Sequence, residues 1–549
     1  MDFLRHDRLL FHLLMGVLLA AVYPMQELFS GNQNIYFLWA IESLKAGTFF
    51  GDPLLSSPDP YPLFSWLITV FPVAFLEAWS TLLFILLNSV YTFALFGIAD
   101  RISSVYRFAD RFISFLVLFL LLHSSPLWGT YIPLLSGPDL RWMWESGIAE
   151  QGVLRGYLQP SMFGVFLLMA VYKALKREHA MAVLCLAPAA LMHANYLFFG
   201  ALLTLIFLVQ SGFNKKALAT SVALLALVLP YSIYIFNNFL SLDEGLKTAI
   251  NAAVMTGFDE NIHINPANWV STKFFLQMVV LLAGVSLSWN TRLRGLMLSI
   301  VGLAVGLTLF AYFTENTTLI SLNPWRLSVI LIPISSTLIL ASVASSTIWR
   351  SLKPFVLGAV IIGCVGLLLH RVFGNGSEEF RMLWITIQLV GLACVVTLVY
   401  VANKRWETIL SKSLSLILIA SLVLAGLADT IVNRVGMNNT DQFQCISYLN
   451  GAQELKTVYI IPPSWTHFRL NAQKAVFVDE NLIYGPALPN LMNRLEAVEK
   501  AYVSGDFNEI ENSIPKGISI KLIAPNNLGV SYHENSRPLA SDFVLYSLR

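Results

Sequence analysis

The chain is poor in charged residues and has no paired cysteines. Only 12% of its 549 residues are charged and 56% are hydrophobic, whereas a soluble protein has about 25% charged residues. The formal net charge of +2 gives no reason to expect a nucleic-acid partner. No cysteine pair suggests a disulfide, and neither a metal-binding Cys/His spacing nor a nucleotide-binding glycine pattern occurs. The composition therefore argues against a soluble enzyme, and the sequence gives no sign of a nucleotide-binding site.

Residues 1–435 consist largely of long apolar runs with few charged residues. About 18 or more apolar residues make a helix that crosses the hydrocarbon core, where only a helix satisfies the backbone amides. We interpret the N-terminal run as a retained first helix rather than a cleaved signal peptide. The predicted spans are 10–29, 111–131, 158–174, 179–194, 195–211, 216–236, 271–289, 293–313, 326–347, 354–371, 382–402 and 409–431.

Orientation follows from the short loops, which hold most of the lysine and arginine. All of these loops lie in the cytoplasm only if residues 61–98 cross the membrane an odd number of times. We therefore predict one crossing there, together with a re-entrant or surface segment broken around Phe71-Pro72 and Glu77. The resulting topology has about 13 crossings, a cytoplasmic N-terminus and the loops 30–60, 132–157 and 237–270 outside.

The composition changes near residue 436, where strand and helix patterns begin to alternate. This alternation predicts a small extracytoplasmic α/β domain over residues 436–549, following the transmembrane domain of residues 1–435. Its predicted strands are 457–463, 474–479, 518–525 and 542–548, and its predicted helix is 488–505. The fold class is thus mainly α, a polytopic helix bundle with a terminal α/β domain.

The first outer loop contains two aspartates that directly precede proline, Asp52 and Asp59. Aspartate before proline is common in ordinary turns, but a carboxylate at the membrane surface also suits a general base. Both residues are therefore catalytic candidates. The same loop begins with Gly31-Asn32-Gln33 and continues as an amphipathic helix over 34–44, which suits the membrane interface.

The second outer loop interleaves charged and aromatic residues. They suit either an interfacial aromatic belt or a loop that stacks sugars on tryptophan and binds phosphate through arginine. The candidate substrate-binding residues here are Asp139, Arg141, Trp142, Glu145, Arg155 and Gln159.

Four further residues lie at predicted outer positions. His193 interrupts an apolar run, which indicates either a cavity or a packed partner. Arg326 opens a span, as an interface anchor or a second phosphate contact. His467 and Arg469 follow the first strand of the terminal domain, a common binding position in α/β layers, although packing between the domains would also explain them.

The chain resembles the C-type (GT-C) integral membrane glycosyltransferases. The resemblance rests on the carboxylates and surface helix of the first outer loop, followed by Tyr61-Pro62-Leu63-Phe64-Ser65-Trp66 at the start of the next helix. It implies an extracytoplasmic active site, a polyprenyl-phosphate-linked sugar donor and a catalytic aspartate or glutamate in the first loop. The chain is also similar to bacterial multi-span proteins whose first loop begins Gly-Asp-Gln. Asn32 replaces that aspartate here and cannot act as a base, although Asn32 and Gln33 remain candidate substrate contacts.

This resemblance implies a bacterial inner-membrane glycosyltransferase whose acceptor is a glycan, a lipid or a protein. No cofactor is assigned, and a divalent metal at the first-loop carboxylates is left open. Three alternatives remain: a flippase or transporter of lipid-linked glycan, a polysaccharide polymerase or ligase, and a non-catalytic scaffold. Transport is disfavoured because the sequence shows no internal repeat and its polar residues cluster at the outer face rather than mid-membrane.

Overall fold

The computed structural model describes most of both predicted domains. It covers residues 9–125, 127–128, 142–148, 151–243, 272–314, 322–347, 404–438, 440–449, 456–480, 487–528, 536–540 and 542–548, with 245, 246, 248, 249, 319 and 349. The predicted spans 354–371 and 382–402 and most of the loop 237–270 lie outside the described residues, as do Asp139 and Arg141.

The membrane part is a bundle of apolar helices, and each predicted span within the described residues coincides with one of them. Within the described residues, five helices are long and apolar enough to cross a membrane: Val73–Ser103, Lys215–Leu240, Arg292–Ala311, Pro324–Ser345 and Ser413–Ile431. In chain order the helices are α1 (Leu9–Val22), α2 (Gln33–Tyr36), α3 (Leu38–Leu44), α4 (Pro62–Ile68), α5 (Leu76–Ser103), α6 (Ala109–Leu122), α7 (Trp142–Glu145), α8 (Val165–Leu175), α9 (His179–Met192), α10 (Ala194–Gln210), α11 (Lys215–Ile235), α12 (Thr272–Leu287), α13 (Arg292–Phe313), α14 (Ser328–Ser345) and α15 (Lys404–Asn438).

The ambiguous segment 61–98 forms one long helix and one short helix, as predicted. Helix α4 has only seven residues, or about 10 Å at 1.5 Å per residue, too short to cross. After a break at Phe71-Pro72, a single helical turn leads into α5, which has 28 residues. Glu77 belongs to the first turn of α5 and does not break it.

Two predicted spans begin or end differently because of proline. The first span ends at Val22, because Tyr23 precedes Pro24 and a residue before proline disfavours the helical conformation. The third span starts as a 3-10 turn at Pro160–Gly164 before α8 begins.

The terminal domain is a five-stranded mixed sheet with helices. Its strands are β1 (Thr457–Ile460), β2 (Ala475–Val476), β3 (Ser519–Pro525), β4 (Ser536–Ala540) and β5 (Phe543–Ser547), in the order β2-β1-β3-β5-β4. Strand β1 is parallel to β2 and β3, whereas β5 is antiparallel to β3 and β4. The helices are α16 (Asp441–Leu449), α17 (Phe468–Ala472), α18 (Leu488–Ser504) and α19 (Asn508–Ser513). The four predicted strands and the predicted helix are all confirmed, while β4 was missed.

The last membrane helix enters the terminal domain without a break. Helix α15 has 35 residues and ends at Asn438, so the boundary predicted at 435/436 falls inside it. A continuous helix gives a stiffer connection than a loop would.

Close helix crossings depend on individual glycines. A Cβ added to Gly284 in α12 would lie 2.6 Å from the Cα of Ser335 in α14, whereas one added to Gly302 in α13 would meet open space. The backbones of α12 and α14 therefore touch at Gly284, where no side chain can be accommodated without movement.

We expect Gly284→Ala to lower the free energy of unfolding by about 1–3 kcal/mol, because the crossing must open. The matched control Gly302→Ala should leave stability unchanged or slightly raised, since alanine favours the helix. Thermal unfolding of the two purified variants in detergent measures this difference. Equal transition temperatures would show that the crossing tolerates the methyl group.

Candidate functional site

The first outer loop is joined to the terminal domain by a buried ion triad of Asp52, Arg469 and Asp479. The Nε of Arg469 lies 2.7 Å from Oδ2 of Asp52, and its Nη1 lies 3.0 Å from Oδ2 of Asp479. The side chains of Arg469 and Asp52 are 1% and 0% exposed. Burial lowers the pKa of Arg469, but the charges of Asp479 and Asp52 outweigh it and hold the pKa above its ordinary value. Arg469 therefore remains charged.

The Asp52 carboxylate is fully occupied by this contact and by backbone groups. Its Oδ2 also accepts a hydrogen bond from the N–H of Val476 at 3.1 Å, and its Oδ1 accepts one from the N–H of Leu54 at 3.1 Å. A general base must reach the proton that it removes. The arrangement thus favours a structural role for Asp52 and Arg469 over the catalytic and substrate-binding roles expected from sequence.

Other contacts between the loop and the domain surround the triad. The Nδ1 of His467 donates to the carbonyl of Phe29 at 3.2 Å, and Nζ of Lys45 donates to Oε1 of Gln473 at 2.8 Å. Gly51 has a φ of +88°, and a Cβ there would lie 3.0 Å from a methyl group of Val458. His467 thus lies at the interface between the loop and the domain.

The Gly31-Asn32-Gln33 segment has one exposed and one structural side chain. Gln33 is buried; its Oε1 accepts from the N–H of Phe29 at 2.8 Å, and its Nε2 donates to the carbonyl of Leu158 at 3.0 Å. Asn32 is exposed. Gly31 has a φ of +51° and packs against the Tyr157 ring. Gln33 therefore joins the first outer loop to the second.

Asp59 differs from Asp52 in that the partners of its carboxylate, Tyr61 and Ser65, are close to it in sequence. It is half-buried, and its Oδ1 accepts from the N–H of Tyr61 at 2.8 Å. Tyr234 and Tyr231 of α11 donate to the carbonyls of Asp59 and Pro60 at 2.7 and 3.0 Å, which fixes this turn. Burial raises the pKa of Asp59, and hydrogen bonds from Ser65 and Tyr61 offset part of that rise. Among the described residues no cation neutralises Asp59, so its carboxylate, unlike that of Asp52, is left to accept a proton.

Aromatic rings form a continuous row beside Asp59. The ring centroids of Tyr36 and Tyr61 are 5.1 Å apart, those of Tyr61 and His193 are 5.3 Å apart, and those of His193 and Tyr196 are 4.7 Å apart. His193 and Tyr196 are buried. The row joins the first outer loop to the turn between α9 and α10.

Arg326 directs a positive charge at this row. Its guanidinium lies within electrostatic range of the hydroxyls of Tyr36, Tyr61 and Tyr196, and of the guanidinium of Arg155. Its Nε is buried and has no hydrogen-bond partner among the described residues. A buried cation beside a second cation is costly unless an anion compensates. The pair therefore suits a phosphate group, which arginine binds through two parallel hydrogen bonds.

The remaining candidates lie deeper in the bundle or outside the described residues. Glu145 is buried, and its Oε1 accepts from the hydroxyl of Tyr23 at 3.3 Å. Gln159 is buried at the start of the turn that precedes α8. The backbone of Trp142 begins α7, while its side chain lies outside the description, as do Asp139 and Arg141. The described residues bring no three His, Cys, Asp or Glu side chains together as metal ligands.

The tyrosines of the row were not predicted as site residues. Tyr196 follows His193 by three residues, a spacing that places both on one side of a helix start. Tyr36 belongs to the amphipathic segment predicted at 34–44. The sequence feature that could have identified these tyrosines is their position close to the polar candidate residues.

The predicted fold class, a polytopic helix bundle with a small terminal α/β domain and a GT-C-like architecture, is confirmed by comparison with solved structures. Among solved structures, the chain is similar to ArnT from Cupriavidus metallidurans bound to undecaprenyl phosphate, with a TM-score of 0.51 over 98% of this chain and 97% of that chain. At 12% identity, this similarity establishes the fold alone. No protein-family model and no curated protein matches the chain.

We expect Arg469→Met to lower the free energy of unfolding by about 3–5 kcal/mol, because two buried carboxylates lose their cation. The matched control is Arg434→Gln. Arg434 contacts Glu27 at 3.0 Å and also pairs with Glu77, but it is half-exposed, so its loss should cost about 0–1 kcal/mol. Thermal unfolding of the purified chains gives the comparison. Equal losses would show that the triad does not hold the loop and domain together.

Proposed function

We propose that the chain is an integral membrane glycosyltransferase. It transfers a sugar from a polyprenyl-phosphate-linked donor to a glycan, lipid or protein acceptor at the extracytoplasmic face of the bacterial inner membrane. The proposal rests chiefly on Arg326, whose Nε is buried without a hydrogen-bond partner among the described residues, next to Arg155 and three tyrosines. The fold supports it, since the solved ArnT structure with the same fold holds undecaprenyl phosphate.

The two arginines would bind the phosphate of the donor. When the bond between the sugar and the phosphate breaks, the electron pair stays on the phosphate oxygen. Fixed cations at that position stabilise the developing charge more strongly than water does, because they need no reorganisation. The tyrosine hydroxyls beside Arg326 would donate further hydrogen bonds to phosphate or sugar oxygens.

Asp59 is the proposed general base. It would remove the proton of the acceptor hydroxyl as that oxygen attacks the anomeric carbon, and the polyprenyl phosphate would leave. Tyr61 lies between the two functions, since its hydroxyl is within electrostatic range of both Asp59 and Arg326. Asp52 would act only through structure, by fixing the loop against the terminal domain.

We expect Arg326→Gln to lower kcat/KM for transfer from a polyprenyl-phosphate sugar by about 10²–10³, the typical effect of removing one such electrostatic contact. Binding of sugar-free polyprenyl phosphate should weaken in parallel. Arg537→Gln is the control, because Arg537 lies in β4 and stacks on Tyr448. A panel of polyprenyl-phosphate sugars provides the assay. Undiminished lipid-phosphate binding by Arg326→Gln would contradict the proposal, and a wild-type chain that turns over no donor would favour the scaffold.

The rate should depend on pH through Asp59. As the pH is lowered, Asp59 becomes protonated and kcat/KM falls. Because burial raises the pKa of Asp59, this fall occurs at a pH above the ordinary carboxyl pKa of about 3.9. Asp59→Asn should lower the rate by about 10²–10⁴ and abolish the fall in rate at low pH, which is the acid limb of the pH–rate profile. Asp52→Asn should instead lower the unfolding temperature and keep the acid limb in the molecules that stay folded. An acid limb that survives in Asp59→Asn would assign the base to another group.

A further inference from the structure

Three helix-to-helix turns enclose a cavity at the opposite end of the bundle, the face predicted to be cytoplasmic. The turns join α8 to α9, α10 to α11 and α12 to α13. Residues of all three turns line a cavity of about 1200 Å³. A cavity of this size could accommodate a lipid headgroup, since drug-sized ligands occupy about 300–1000 Å³.

The lining of this cavity is strongly basic. It includes Arg177, Lys216, Arg292 and Arg294. The one carboxylate among the described lining residues is Glu178, whose oxygens are 2.9 Å from Nζ of Lys173 and 2.8 Å from Nζ of Lys176. Because those two lysines already neutralise Glu178, the four lining cations have no carboxylate partner among the described residues of the cavity wall.

The backbone adds to this positive potential. Helices α9, α11 and α13 begin at the cavity, with His179, Lys215 and Arg292 as their first residues. Each helix N-terminus has unpaired N–H groups and a partial positive charge. Three such termini around one cavity with four cations favour a phosphate group.

The surroundings of the cavity are those of a membrane interface. Trp289 is half-exposed at the rim, and the guanidinium of Arg294 lies 5.0 Å from its ring centroid. Beyond the polar rim, α11 exposes Leu218, Val222 and Leu225. A ligand with a phosphate in the cavity could therefore lay apolar chains along α11, which a soluble anion could not do.

We propose that this cavity binds the headgroup of an anionic phospholipid of the cytoplasmic leaflet. Basic pockets between membrane helices on that side suit anionic headgroups, and each basic residue near the surface contributes roughly a fivefold gain in binding. The site is separate from the outer arginines, and the inference does not depend on the proposed transferase activity.

The test uses the purified, delipidated full chain in detergent, titrated with short-chain phosphatidylglycerol, short-chain phosphatidylcholine or inorganic phosphate, with bound lipid counted by native mass spectrometry. We expect phosphatidylglycerol to bind in preference to phosphatidylcholine, and inorganic phosphate not to displace it. The double variant Lys216→Gln/Arg294→Gln should weaken phosphatidylglycerol binding about 30-fold.

The matched control is Arg101→Gln/Arg107→Gln, which removes two exposed cations from the same end of the bundle outside the cavity lining. Its affinity should stay within about twofold of wild type, since it leaves the cavity intact. Equal weakening in both double variants would reduce the effect to general surface charge and overturn the site. Displacement of the lipid by inorganic phosphate would overturn the lipid assignment in favour of a soluble anion.

Discussion

The buried guanidinium of Arg469 between Asp52 and Asp479 is the constraint on which the outer face depends. Removing three charges from water is costly, and the cost is recovered only if each partner keeps its place. Asp52 comes from the first outer loop, whereas Arg469 and Asp479 both come from the terminal domain, so the buried charge of Asp52 is neutralised only when the loop packs against the domain. The N–H of Val476 and the nearby charge of Arg494 add further compensation for Asp52. The loop and the domain therefore form one unit, and the turn holding Asp59 and Tyr61 is positioned by contacts on both sides of it.

Two arginines of this protein differ in their binding partners, and this difference distinguishes a structural role from the proposed phosphate-binding role. Arg469 has two carboxylates and is fully buried, so its binding capacity is used within the chain. Arg326 lies among tyrosines, which are neutral donors and cannot cancel its charge, and its Nε has no hydrogen-bond partner in the part of the chain that the structure describes. The proximity of Arg155 adds repulsion, which a bound anion would offset. The two aspartates differ in the same way: in the part of the chain that the structure describes, Asp52 pairs with a cation and Asp59 does not.

The sequence predicted the helices well because the membrane leaves little choice: length and hydropathy decide whether a segment crosses. It also predicted that 61–98 crosses once, through the charge of the neighbouring loops. It could not separate Asp52 from Asp59, because both precede proline and the partner of Asp52 is 417 residues away. Strand β4 escaped prediction because Ser-Arg-Pro-Leu-Ala has a proline and no alternation, features tolerated at the edge of a sheet. Local patterns thus predict the elements, while long-range charge pairing determines which candidate side chains are neutralised within the chain.

At each end of the bundle the described residues include cations with no carboxylate partner among them, Arg326 at one end and the cations of the cavity at the other, but their surroundings differ. At the outer end, Arg326 is bordered by the buried His193 and Tyr196, so its field is little screened by salt and falls on a small volume. At the other end, Arg177, Lys216 and Arg294 are exposed around a wide cavity, where counterions reduce each contribution. In its proposed role, the first arrangement would hold one phosphate in one orientation, as bond cleavage requires. The second, in its proposed role, would attract anionic headgroups without fixing their geometry, as expected for a lipid that does not react.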